Sequence, residues 1–173
     1  MITRVSLAFT VFISVAAASQ APEEGALYSP KEAAFELRFP AEPTVQKKPQ
    51  LFGSVIIMAS VQRKSVEEFG YICQWLIRDK AFDSPEAENI YLIGQQIGSV
   101  TGSKGKLLHE KKISLNGING REFAVQVSDN NVFRCRVFLA GKRVINVQVW
   151  GKDLQALDSE EVTAFFDSLK ITK

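Results

Sequence analysis

The chain carries one histidine and two cysteines, so the side chains most used as general bases, nucleophiles and soft metal ligands are scarce. His109 begins "HEKKISL" and shares strand parity with Ile113 and Leu115, which favours a structural or surface role over catalysis. A cysteine–histidine nucleophile pair would need the fold to bring Cys73 or Cys135 to it, because no local pattern does so. No C-x-x-C spacing exists to build a zinc site on, and the G-x-S-x-G nucleophile elbow is missing. Glu67, Glu68, Asp79 and Asp83 could pair for acid–base work, but they fall where solvated turns are expected. No catalytic residue, metal ligand or cofactor is assigned.

Two glycine-rich stretches invite a phosphate-binding reading. In "GSVTGSKGK" (Gly98–Lys106) the lysine follows Gly105, yet Leu107 stands where a P-loop places its hydroxyl. The stretch also trails a helix pattern, and a helix C-terminus presents carbonyls where phosphate needs N–H groups. In "SLNGINGREFAVQV" (residues 114–127) strand patterns lie on both sides, so the Asn-Gly pairs read as tight-turn punctuation. Gly117, Gly120, Arg121 and Glu122 are expected to make a structural turn, with Arg121 bracing it through a nearby carboxylate or carbonyl. The C-terminal half is tinted basic by Lys104, Lys106, Lys111 and Lys112, and by Arg134, Arg136, Lys142 and Arg143. Arg134 and Arg136 share a strand face opposite Cys135. A solvated face or a helix contact is the commoner use of such residues. Arg134, Arg136, Lys142 and Arg143 are nonetheless the best surface on which to seek a protein partner or an anionic ligand.

The elements that must position these residues follow from composition and pattern. The 173 residues are 46% hydrophobic and 23% charged, with a net charge of +2, which is globular composition without the basic footprint nucleic acid requires. Arg4, the apolar run Val5–Ala18 and the small residues Ala16–Ser19 make the three-part pattern of a secretory signal peptide over residues 1–19. The run is shorter than the roughly 20 residues of a membrane span, and no transmembrane segment is expected in the mature chain. The expected location is periplasmic or extracellular. There an even cysteine count makes Cys73–Cys135 a candidate disulfide. Both lie in apolar runs, "YICQWLI" and "VFRCRVFL", where a free cysteine serves as a small hydrophobe.

Residues 20–33 are polar and read as a flexible leader, and residues 34–173 as a single domain. "FELRF" alternates as a half-buried strand that Pro40 stops, and "PAEPTVQKKP" is a loop or edge connection. Val55–Met58 is apolar on both parities and predicts a strand covered on both faces. Residues 66–80 fit either a capped helix or a strand; Gly70 and the aromatic, β-branched "YICQWLI" favour the strand. Ser84, Pro85, Glu86 and Glu88 open a helix over about 85–100, with Ile90, Ile93, Ile97 and Val100 on its expected apolar face. Strand runs separated by short polar or glycine turns then form an antiparallel meander. Residues 159–169 close the chain as a helix with Val162, Phe165, Phe166 and Leu169 in one stripe.

This order of pieces resembles a group of small exported bacterial proteins of unknown function. They are thought to adopt the PsbP-like α/β/α sandwich, named for an extrinsic photosystem II subunit and also seen in a Ran-binding factor. The resemblance runs from Phe35 to Ile171 and rests on Phe39-Pro40, on Gly117 with Gly120-Arg121-Glu122-Phe123, and on Phe166-Asp167-Ser168-Leu169. Asn119 stands where such families often have proline, and Ile145 where many have an aromatic. The resemblance implies an α+β fold, an antiparallel sheet with helices on its faces. It carries over no catalytic residues, because none are established for the group. Fold alone assigns no activity. The leading expectation is a non-catalytic binding or accessory module for an unknown protein partner or small ligand. A carrier with a Phe- and Ile-lined cavity is the alternative, and a small hydrolase using His109 or paired acids the third.

Overall fold

Strict alternation in "FELRF" buries Phe35, Leu37 and Phe39 and leaves Arg38 outside, the period-two signature of a strand with one wet face. The same period recurs along most of the chain. The structure, a computed structural model, describes residues 25–49, 55–63 and 69–172. It is α+β, with β1 (Ala26–Tyr28), β2 (Phe35–Phe39), β3 (Thr44–Pro49), β4 (Val55–Arg63), β5 (Phe69–Ile77), α1 (Pro85–Ser103), β6 (Lys106–Leu115), β7 (Ile118–Ser128), β8 (Asn131–Ala140), β9 (Arg143–Gly151), α2 (Glu160–Asp167) and β10 (Lys170–Ile171). All strand pairings are antiparallel. A seven-stranded sheet runs β3-β4-β5-β9-β8-β7-β6, and a three-stranded one runs β1-β2-β10. Among the described residues no helix is long and apolar enough to cross a membrane.

The expected signal peptide lies outside the described residues. Within the leader expected over 20–33, the described residues from Gly25 on include the strand β1. Ala26–Tyr28 pairs with Leu37–Phe39, Tyr28 closes edge to face on Phe35 and Phe39, and Ala33 is fully buried. Thr44–Pro49, within the segment expected as a loop or edge connection, is the edge strand β3, a place where proline removes no ladder bond. Residues 69–77 resolve as strand: Phe69, Tyr71, Cys73 and Trp75 are buried in alternation, which a helix could not achieve.

Alternate residues of the large sheet feed two separate clusters. Tyr71, Cys73, Trp75, Ile145, Val147 and Val149 pack with β2 and with Val162, Phe165 and Phe166 of α2. Phe123, Val125, Phe133, Cys135, Val137 and Leu139 pack with Leu92 of α1. The rings of the first cluster lie on one another, Phe39 on Phe165 at 5.3 Å and Tyr71 on Phe165 at 5.0 Å between centroids, an edge-to-face filling of the core.

Both helices start where expected. The Ser84 side chain accepts the Ala87 N–H at 3.2 Å, Pro85 takes the first position, and Ser159 caps α2 through the Val162 N–H. The buried face of α1 differs from the expected one. Leu92 and Gln96 face the sheet, while Ile90 and Ile97 face solvent. Counting apolar residues misplaced the face because the sheet offers a buried cation, and the helix turns its amide toward it.

Candidate binding cleft and its ion pairs

The β6–β7 hairpin turns on Asn116 and Gly117, both at positive φ (52° and 78°), so the first Asn-Gly pair does what its chemistry allows. The second pair does something else. Asn119 and Gly120 lie inside β7, with Gly120 facing Phe138 across the ladder. A Cβ on Gly120 would stand 2.6 Å from Phe138 Cδ1 and 2.7 Å from the Val137 carbonyl oxygen, so packing, not turning, requires glycine there. Arg121 and Glu122 are likewise strand residues. The expected structural turn thus shrinks to Asn116-Gly117, and the two charged residues project to opposite sides of the sheet.

On the α1 side Arg121 is only 8% exposed. Its Nε donates to Gln96 Oε1 at 2.5 Å and to Glu110 Oε2 at 3.1 Å, and its Nη2 also bonds Glu110. The Arg121 guanidinium holds the Glu110 carboxyl below its usual range. The expected brace therefore exists, but it ties a helix and a neighbouring strand together, with Glu110 as its carboxylate. Beside it opens a cleft of about 190 Å³ between α1 and the hairpin, with Leu92, Ile113, Asn89, Asn119, Lys112 and Arg121 among its walls. Asn119 donates to Glu88 at 2.9 Å, fixing its amide at the rim. The cleft offers the apolar Leu92, two amides and two cations, which can hold and orient a small polar group. Sequence reasoning missed Asn89 and Leu92 as its members, counted Lys112 only in the general basic tint, and missed Gln96 as the partner of Arg121 beside it, since these belong to elements that meet only in the fold.

On the α2 side Glu122 is almost fully buried. It accepts from Arg136 Nε at 2.6 Å and lies 3.0 Å from Lys111 Nζ and 3.6 Å from His109 Nε2. Burial alone would raise its pKa; the Arg136 and Lys111 hydrogen bonds and charges outweigh that and hold it low. Arg136 reaches on to Asp167 at 3.1 Å and lies 4.7 Å over the Phe166 ring, while Arg134 pairs with Asp158. Asp158 precedes α2 and Asp167 ends it, so two arginines of β8 clamp both ends of that helix.

The surface expected from Arg134, Arg136, Lys142 and Arg143 is therefore mostly spent inside the fold. Arg143 donates to the carbonyls of Ala33, Ala34, Ala140 and Thr172, and Lys142 alone stands exposed in its hairpin. The candidate disulfide is excluded by the sheet. Cys73 and Cys135 are free and buried in different clusters, on opposite faces, with β9 between their strands. Two inter-strand steps separate them by about 10 Å, beyond the ~7 Å limit for a bridge. Burial pushes both thiols well above the ordinary cysteine range. His109 is four strands from Cys73, about 19 Å, and on the face opposite Cys135, so no cysteine–histidine pair forms. Among the described residues no group of three His, Cys, Asp or Glu side chains converges to hold a metal ion. No protein-family model matches the chain, and no curated protein matches it significantly.

Proposed function

We propose that the chain is an exported, non-catalytic binding or accessory module of the periplasm or cell envelope, built on a PsbP-like helix–sheet–helix sandwich. The cleft between α1 and the β6–β7 hairpin carries this reading. Asn89, Asn119, Lys112 and Arg121 supply hydrogen-bond donors and positive charge beside the apolar Leu92, a lining suited to holding a ligand rather than transforming it. Arg4 ahead of the apolar run Val5–Ala18 supports export. The separate packing of α1 and α2 into two clusters of one antiparallel sheet supports the sandwich.

Nuclear magnetic resonance of 15N-labelled protein tests the cleft. Titration with neutral amides, simple sugars and short carboxylates is expected to shift the side-chain signals of Asn89, Asn119 and Arg121 together. Lys112→Ala should weaken the response. Shifts confined to other residues, or none at millimolar ligand, would refute the cleft. Export is read separately, from the intact mass of the periplasmic product, which should start after Ala18 or Ser19. A product that keeps Met1 would refute it.

A further inference from the structure

The outer face of α1 turns two isoleucines to water: Ile90 is 70% exposed and Ile97 57%. At 3.6 residues per turn Glu86, Ile90, Gly94, Ile97 and Thr101 form one stripe, opposite the buried Leu92 and Gln96. Glu86 of the acidic first turn stands at one end of the stripe, and the exposed Lys104 follows at the other. The helix also carries Gly94, Gly98 and Gly102. An added Cβ at any of them meets nothing within 4 Å, so the folded single chain makes no use of their smallness. Each nevertheless costs a helix interior about 1 kcal/mol relative to alanine.

We propose that this face packs on the same face of a second copy, antiparallel, about a two-fold axis near Gly94. Ile90 then meets the partner's Ile97, and Gly94 lets the two backbones approach. Charge selects the occupant and the direction. In that register Glu86 falls opposite the partner's Thr101, about one turn short of Lys104, whose long side chain can reach back to it at both ends of the seam, where a parallel pair would set like charges together. An anionic membrane surface fits worse, because the exposed stripe opens on the Glu86 carboxylate and meets its cation only past its far end, without the basic rows that flank the apolar face of an interfacial helix. A helix of 19 residues is about 28 Å long, so the seam is smaller than the ~800 Å² per partner of a standard interface. The dimer is accordingly weak and forms in the micromolar to millimolar range.

Sedimentation equilibrium of the purified protein tests this, with mild oxidation of Gly94→Cys as a second readout. Both native thiols are buried, so the new cysteine is the accessible one. It should cross-link about tenfold faster than Ser114→Cys on β6, since the seam raises its effective concentration. Ile97→Lys should abolish association while leaving the melting temperature unchanged. Glu86→Lys should weaken it and Glu86→Lys with Lys104→Glu restore it. A monomer throughout the concentration range, equal cross-linking of the two cysteine variants, or association indifferent to Ile97→Lys would overturn the proposal. So would a monomer that sediments with anionic phosphatidylglycerol vesicles through the same isoleucines.

Discussion

Replacing Arg121 with alanine removes a side chain that joins α1, β6 and β7. Its Nε–Gln96 bond is 2.5 Å long and lies among buried groups, and Gln96 is itself 7% exposed. After truncation the Gln96 amide stays buried without its donor, a loss of about 1–3 kcal/mol. The Glu110 pair stands on a half-open carboxylate, and its share is discounted for solvent screening. Loss of the arginine stem from the α1–sheet contact adds to the orphaned amide, for a total of about 2–3 kcal/mol. In a domain of this size that lowers Tm by about 4–12 °C. Urea unfolding of Arg121→Ala, Gln96→Leu and the double variant Arg121→Met with Gln96→Leu should separate the parts. Each single change destabilises, and the double, which leaves no orphan, recovers to within about 1 kcal/mol of the native chain. An Arg121→Ala protein melting with the native one, or a double variant as weak as the sum of its parts, would refute the reasoning.

Glu122 has a folded pKa held below its usual 4.5, so its stabilising share is complete above that value and is lost as pH falls beneath it. Glu122→Gln should therefore flatten the acid limb of a stability–pH profile measured by chemical unfolding; an unchanged limb would assign acid sensitivity elsewhere. Gly120→Ala forces a Cβ against a carbonyl oxygen that cannot move away and should cost about 1–3 kcal/mol in urea unfolding. Gly98→Ala, with open space around it, should instead raise stability by about 0.5–1 kcal/mol. Cys73 and Cys135 should resist a thiol reagent until the protein is unfolded, and reductant should leave the melting temperature unchanged.

Local pattern reached the elements wherever one short-range rule dominated. The alternation of "FELRF", the Ser84-Pro85 helix start, the Asn116-Gly117 turn and the Val162–Leu169 stripe each depend on neighbours within a few positions. The candidate surface was less legible. For Arg134, Arg136 and Arg143 the pattern left a solvated face, a helix contact and a partner surface side by side, because their acceptors, Asp158, Asp167 and the carbonyls of Ala33 and Ala34, lie far along the chain.

Periodicity and turn chemistry are properties of a segment, and they determined by themselves that this chain makes an antiparallel meander and two capped helices. Facing direction and partnership are properties of pairs. Only the tertiary structure decided that Gly120 serves packing, that α1 buries Gln96 and shows Ile90, and that the two cysteines stand on opposite faces. For α1 the reason is that burying a charge such as Arg121 requires partners from other elements, and the helix turns until they meet. For Gly120 and the cysteines it is the pairing register, which sets what each residue faces across the sheet.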